Sequence, residues 1–381
     1  MTRVLVAGAG PVGLTAALAL ARRGVPATVL EAGPALAAES RASTFHPPSL
    51  EMLDALGVLE ELMARGLISR TFQYRERRGG IIAELDLSVL SGDTPYPFRV
   101  QCEQSKLTPI LRAHLEAAGG EVRFGAQVRQ VLPRADGVEV VTSAGERADA
   151  DWLIGADGAG SAVRHGLGVG FEGITYPERF LVASTRTDLE ALLPGIAAVN
   201  YVFDPDEWLV LLRTPDHWRV LFPTPEGTAD DHELARLPER LRGVADTDWD
   251  VAHASLYRVH QRVAERFRSG RVLLAGDAAH VNNPLGGMGM NSGIHDAVLL
   301  AGALADVLDG GPETALDAVV RARRDTALSF VQSMTHANWE RLRAADPAAY
   351  HDELRALAAD PAESRRYLLR TSMIASLRDV A

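Results

Sequence analysis

Apolar and polar positions fall along the chain in blocks that predict a mixed α/β fold. Val4 to Ala7 is a short apolar run, Leu14 to Arg23 has a helical pattern that Gly24 ends, and Thr28 to Leu30 supplies a second strand. A second apolar run, Trp152 to Ile154, leads into Gly155-Ala156-Asp157-Gly158 and then a short helix carrying Arg164. A third begins at Arg271 and ends at Gly276-Asp277; a glycine-rich loop containing Pro284 follows, and Asn291 starts an amphipathic helix. Trp208 to Arg213 and Trp218 to Phe222 read as hairpin strands around Thr214-Pro215-Asp216-His217. From Thr314 the pattern is helical, with breaks at Pro347 and Pro361.

Composition narrows the function classes. The 381 residues are 47% apolar, enough for a continuous core, and the net charge of −11 disfavours bulk attraction to nucleic acid or anionic lipid. The one cysteine, Cys102, permits neither an intrachain disulfide nor a thiolate zinc site. Arg3 and the apolar stretch Val4 to Ala21 could imitate a secretory signal, but Gly8, Gly10 and Gly13 suit a signal helix poorly. A run long enough to span a membrane is absent, so the expectation is a soluble, cytoplasmic protein.

The first block carries phosphate chemistry. In GAGPVG, Gly8 suits a tight turn, Gly10 lets backbone amides approach a pyrophosphate, and Gly13 lets helix and strand pack closely. Glu31 ends the second strand, where a carboxylate accepts hydrogen bonds from a ribose diol. This unit alone serves FAD or NAD. Asp157, read alone, is a capped strand-to-helix turn. Glycines 286, 287 and 289 would let a flat ring lie against the backbone, with the amides of the helix start favouring negative charge beside it.

Taken together, GAGPVG with Glu31, the GADG segment with Arg164, and GDAAH followed by P-x-G-G-x-G-x-N resemble the group A flavoprotein monooxygenases, the aromatic hydroxylases typified by 4-hydroxybenzoate hydroxylase. The resemblance spans Gly8 to Asn291. It implies a Rossmann-like FAD-binding domain made of residues 1–70, 100–175 and 263–340, a strand-rich substrate domain of 71–99 and 176–262, and C-terminal helices over 341–381. It implies that Gly8, Gly10 and Gly13 hold the FAD pyrophosphate, Glu31 the adenosine ribose, and a Val128 backbone group the adenine. Asp157 would lie near the pyrophosphate, Asp277 at the ribityl hydroxyls and Gln104 at the flavin side chain. Arg41 would belong to a mobile loop near FAD and the nicotinamide cofactor. Gly286, Gly287, Met288, Gly289, Met290 and Asn291 would line the isoalloxazine edge, with Pro284 beside flavin and substrate.

The chemistry implied is reduction of FAD by NADH or NADPH, then attack of a flavin 4a-hydroperoxide on an electron-rich aromatic or hydroxylated N-heteroaromatic ring, with no metal. Tyr201, in YVFDPDEWLVLL, resembles the segment with the phenol-activating tyrosine, and equally fits an amphipathic strand. Leu212 stands where the 4-hydroxybenzoate enzyme has a serine, and Arg219 where it has a tyrosine, which disfavours that substrate. Arg213 or Arg219 could bind a carboxylate, or stand solvated or paired on an outer strand face. His280, His295 and Asp296 read as structural. Halogenases and prenyl reductases share the fold, although the halogenase W-x-W-x-I-P signature is absent. A non-catalytic FAD-binding protein is a further alternative. The C-terminal helices fit either a homodimer or internal packing.

Overall fold

The computed structural model describes residues 3–38, 42–344 and 347–378. Arg41 lies outside the described residues. Among those described, strands form four sheets, two of which build the site. In the first, six strands run in the order Arg268–Ser269, Val272–Leu274, Trp152–Gly155, Val4–Ala7, Ala27–Leu30, Glu121–Arg123. All pairs are parallel except the hairpin between the first two. Central strands of a parallel sheet are covered on both faces, which explains why Val4–Ala7 and Trp152–Gly155 are apolar throughout and buried at every position.

The register Ala7↔Gly155↔Leu274 aligns the ends of three adjacent strands. Three segments more than a hundred residues apart in sequence therefore converge on one edge: Gly8, Asp157 and Gly276-Asp277. Ligands bind at that carboxyl edge in open α/β sheets. The helix Pro11–Arg22 starts three residues earlier than its apolar pattern, because Pro11 occupies the first turn, where a missing amide costs nothing. Gly24, at φ +73°, ends the turn that closes it.

The second sheet has eight strands among the described residues, ordered His280–Val281, Val251–Ala264, Phe171–Thr185, Trp218–Pro225, Leu209–Arg213, Val199–Phe203, Thr71–Glu76, Gly80–Asp86. The hairpin is closed by the Thr214 amide donating to the His217 carbonyl. Thr71–Glu76 joins by a parallel pairing with Val199–Phe203 across about 125 residues of chain, a link no local pattern announces. Of the sheet's two faces, one packs on the helix Asp230–Arg242, which interrupts an otherwise strand-rich segment. The other carries Tyr201 and is closed by the helices Ala348–Ala359 and Pro361–Thr371. Pro347 and Pro361 stand at the starts of those helices. Glu313–Asp325 and Gln332–Leu342 are joined through a π-helical turn, Thr326–Val331.

Candidate functional site

The first strand turn is shaped by its glycines. Gly8 adopts φ +99°, and a Cβ there would stand 2.5 Å from the Ala156 carbonyl oxygen, so only glycine lets the loops of adjacent strands touch. At Gly13 a Cβ would stand 2.0 Å from the Gly8 carbonyl oxygen. At Gly10 it would meet nothing within 4 Å. Open space beside Gly10 is what an approaching diphosphate needs, and the helix behind it has no side-chain cap and no acid in its first turn.

Glu31 ties this loop to its neighbour. Its Oε2 accepts from the Ala9 amide at 2.7 Å and its Oε1 from the Gly33 amide at 2.8 Å. Its own carbonyl accepts from the Ala126 amide, which brings Val128, at the start of the strand Val128–Pro133, to the same end of the sheet. Asp157 accepts from the Ser161 hydroxyl at 2.5 Å and the Val163 amide at 3.1 Å, capping the turn into Ala162–Gly166. Arg164 is buried and bridges two motifs, donating to the Ala159 and Ala278 carbonyls at 2.7 and 2.9 Å. Asp277 is exposed at the strand edge, and Gln104 opens the helix Gln104–Ala117.

The third loop is fixed from three directions. Asn283, fully buried, donates to the Thr335 carbonyl and the Tyr176 hydroxyl and accepts from the Leu285 amide. Pro284 is half-buried, and its carbonyl accepts from the Gly287 amide. Asn291 is also fully buried; it accepts from the His46 amide and donates to the Thr44 and Gly287 carbonyls. Gly286 and Gly287 take φ +111° and +66°, a conformation that favours glycine. The helix Gly289–Leu308 begins two residues before Asn291, and its first turn has no side-chain cap and no acid. Met288 is buried against Val331 and Met334, whereas Met290 joins the main core. Val12 reaches Gly276 and Gly293, where a Cβ would stand 2.8 and 2.6 Å from its methyl. Two uncapped helix starts are thereby held together on one edge.

Beneath that edge lies a buried polar hub that sequence reasoning did not assemble. Asp296 accepts from Arg323 Nε at 2.7 Å, from the Gly276 amide at 3.1 Å, and is 2.8 Å from His280 Nε2. His46, which precedes the helix Pro47–Ala55, donates its Nε2 hydrogen to the Gly286 carbonyl at 2.9 Å. Burial, reinforced by the charge of Arg99, pushes its pKa well below the usual histidine value.

Tyr201 stands on the adjoining face. It stacks on Tyr74 with ring centroids 5.4 Å apart and lines a small cavity of about 10 Å³ with Tyr74, Phe203, Asn338, Arg341 and Tyr350. The Tyr74 and Tyr367 hydroxyls meet at 2.6 Å. Burial raises the Tyr201 pKa, while Arg99 and the Gly286 amide pull it back. Gly286 therefore faces Tyr201 through its amide and His46 through its carbonyl.

Strand register separates the two candidate arginines. Tyr201 pairs with Val210 and Val210 with Leu221, so Arg219, two residues from Leu221, shares the Tyr201 face. Arg213 lies an odd number of positions from Val210 and faces the other way. There it pairs with Glu190 at 3.6 Å and donates to the Thr214 carbonyl. It is not brought to Tyr201. Burial lowers the pKa of Arg219.

A family model described as FAD binding domain matches residues 1–334. The chain belongs to this FAD-binding family. As a flavoprotein it is 38% identical over 357 residues to the para-nitrophenol 4-monooxygenase of a Pseudomonas species, covering 91% of this chain and 88% of that one. It is 37% identical over 352 residues to the 6-hydroxy-3-succinoylpyridine 3-monooxygenase of Pseudomonas putida, covering 89% and 88%. The crystal structure of p-nitrophenol 4-monooxygenase from Pseudomonas putida DLL-E4 superposes with a TM-score of 0.92 at 34% identity over 97% of both chains. That of aklavinone-11 hydroxylase with FAD and aklavinone gives 0.81 at 30%, covering 90% of this chain and 69% of that one. These relatives support the aromatic hydroxylase reading of the flavoprotein rather than the halogenase, reductase or non-catalytic alternatives. Among the described residues, no helix is long and apolar enough to cross a membrane.

Proposed function

We propose that this flavoprotein is an NADH- or NADPH-dependent hydroxylase of a compact phenol or hydroxypyridine, acting in the cytoplasm with oxygen as co-substrate. The supporting observation is that Asn338, which lines the Tyr201 cavity, donates to the Leu285 carbonyl and lies against Gly286 in the loop of the nucleotide edge. A ring bound against Tyr201 is thereby adjacent to a flat ligand lying on the Gly286-Gly287 backbone.

The residues fit FAD. Gly8, Gly10 and Gly13 with the start of Pro11–Arg22 would hold the pyrophosphate, Glu31 the ribose, Val128 the adenine, and Asp157, Asp277 and Gln104 the remaining polar groups. Arg41 would act in the approach of the nicotinamide. Pro284 and Gly286 to Asn291 would flank the flavin, the uncapped helix start favouring negative charge there. Bound FAD supplies the electron relay from nicotinamide to oxygen and the oxygen-transfer chemistry.

The protein's own part is positioning and exclusion. Tyr201 would hold the substrate hydroxyl and favour its ionised form, since a phenolate ring is the better nucleophile. The aromatic wall and the helices Ala348–Ala359 and Pro361–Thr371 keep water from the ring. We take the eight-stranded sheet, with residues 71–99 and 176–262, as the substrate domain, and Arg219, which shares the Tyr201 face, as the sheet arginine that would meet a second anionic group. A homodimer through the C-terminal helices fits the same arrangement.

The test is to measure flavin absorbance of the purified protein, then NADH and NADPH oxidation with a panel of phenols and hydroxypyridines, scoring oxygen uptake against hydrogen peroxide. Stimulated oxidation with little peroxide is expected. A Tyr201→Phe variant that keeps full coupled hydroxylation would remove Tyr201 from the mechanism, and protein that takes up no flavin would overturn the whole reading.

A further inference from the structure

A groove of about 560 Å³ opens between the segment 265–270 and the helix Glu313–Asp325. Asp317, Arg321 and Arg324 line it from the helix, at the spacing that puts residues on one helix face, and Glu265, Arg266, Phe267 and Arg268 line it from the opposite side. Four arginines thus meet two acids, in a chain whose net charge is −11. Arg268 is matched, pairing with Asp317 at 2.7 Å and with Glu313. Arg266 reaches only the exposed Glu265 beside it, at 3.3 Å. Among the described residues no carboxylate pairs with Arg321, which is exposed, or with Arg324, which donates its Nε to the Ala264 carbonyl at 3.1 Å. Like charges three positions apart on a helix face repel, and an anion shared between them removes that cost.

Charge and volume define the ligand. A guanidinium fork takes phosphate oxygens in pairs, and a diphosphate has oxygens enough for several forks, whereas a single carboxylate has not. The groove has the volume of a site for a nucleotide-sized molecule. It also backs onto the nucleotide edge. The Ala264 amide donates to the Ala279 carbonyl at 2.7 Å, so Arg324 and the loop after Asp277 grip the same residue. Phe267 is fully buried and stacks on His280 with ring centroids 5.8 Å apart, and His280 lies 2.8 Å from Asp296. Arg323, next to Arg324 in the chain, donates to the same carboxylate.

We propose that this groove is a second anion site, taking a ligand that carries a diphosphate group, and that its occupancy shifts the affinity for FAD at the nucleotide edge. Arg266, Arg321 and Arg324 supply the guanidinium groups, while Arg268, already matched, shapes the wall. An anion drawn onto Arg324 bears on Ala264 and through it on the turn Gly276–Ala278. The coupling is reciprocal, each ligand changing the other's affinity by the same factor. No covalent bond is made or broken. The coupling rests on FAD occupying that edge; the anion site itself does not, and neither depends on which ring is hydroxylated.

Inorganic pyrophosphate is the probe, titrated by calorimetry into FAD-loaded protein beside phosphate, sulfate and ADP. It should bind once per chain, at least tenfold tighter than phosphate or sulfate, and weaken as NaCl is added. ADP bound as tightly as pyrophosphate assigns recognition to the diphosphate alone, and tighter ADP adds the nucleoside. Arg321→Gln removes an exposed side chain with no ion pair to lose and should weaken pyrophosphate at least fivefold, with KM for NADH and NADPH unchanged. Adding Arg324→Gln should weaken it further. When FAD is titrated into flavin-free protein and followed by fluorescence, saturating pyrophosphate should shift its dissociation constant at least twofold in wild type and not in Arg321→Gln. Pyrophosphate that binds no tighter than sulfate, or equally to Arg321→Gln, overturns the site, and a matching rise of nicotinamide KM in that variant would make it part of the nicotinamide path instead. An unshifted FAD constant overturns the coupling, as does a shift that persists in Arg321→Gln, which is competition at Gly10. Protein that takes up no flavin would sink the flavoprotein reading, while pyrophosphate binding to it would leave the anion site standing.

Discussion

Asp296 and Arg323 form a fully buried ion pair, Oδ1 to Nε 2.7 Å, directly beneath the strand end that carries Asp277. The remaining Asp296 oxygen holds the Gly276 amide and His280, so the pair sets the position of the turn at the nucleotide edge. Burial alone would raise the carboxyl's pKa, but Arg323 and His280 hold it at about 2. Arg323→Met leaves that charge under-compensated and should cost about 3–5 kcal/mol in urea unfolding, while Arg323→Met with Asp296→Leu should cost clearly less. Because the folded pKa is depressed, the carboxylate's contribution is complete above about pH 4 and lost as pH falls toward 2.

Gly10 and Gly13 separate ligand binding from folding. A methyl at Gly10 meets no protein atom within 4 Å and its backbone, at φ −73°, suits any residue. Gly10→Ala should therefore keep the melting temperature of the flavin-free protein within a degree or two and weaken FAD at least tenfold, read by flavin fluorescence on titration. Gly13→Ala, with its Cβ 2.0 Å from the Gly8 oxygen, should lower the flavin-free melting temperature as well, because helix and strand must part. Equal FAD affinity in Gly10→Ala would show that the diphosphate does not approach this amide.

What sequence could show depended on whether a residue's partner lay nearby in the chain. Gly8, Asp157 and Gly276-Asp277 each end an apolar run, and the rule that strand ends collect ligands suffices to group them. The hub was hidden because Asp296 and Arg323 meet only when Glu313–Asp325 folds back along Gly289–Leu308. The face assignment of Arg213 and Arg219 needed the register across three strands, since a shift of one residue exchanges the faces.

His295 predicts an acid-sensitive stability above the range of Asp296. Burial, with the nearby Arg323 charge, lowers its pKa to about 3, and its Nε2 lies 3.1 Å from the Ser49 hydroxyl. The unfolded chain binds this proton below about pH 6.5 and the folded chain does not, so stability falls as pH drops from about 6.5 toward 3. The slope from this one group reaches about 1.4 kcal/mol per pH unit. His295→Gln should flatten the urea-unfolding slope between pH 4.5 and 6 by roughly that amount. An unchanged slope would mean that the ring charges in place.

The two sheet arginines give opposite expectations for substrate. Arg219 shares the Tyr201 face and is half-buried, so Arg219→Ala should raise KM for a substrate carrying a second anionic group by at least tenfold. It should leave KM for an unsubstituted phenol nearly unchanged, because Arg219 addresses the second group and not the ring hydroxyl. Arg213 faces away and pairs with the exposed Glu190, so Arg213→Ala should alter neither KM by more than about twofold and should change stability by less than about 1 kcal/mol. Steady-state kinetics of the two variants on one matched pair of substrates therefore reads the strand register directly. A KM effect in Arg213→Ala but not Arg219→Ala would require the strand Leu209–Arg213 to be shifted by one residue in solution.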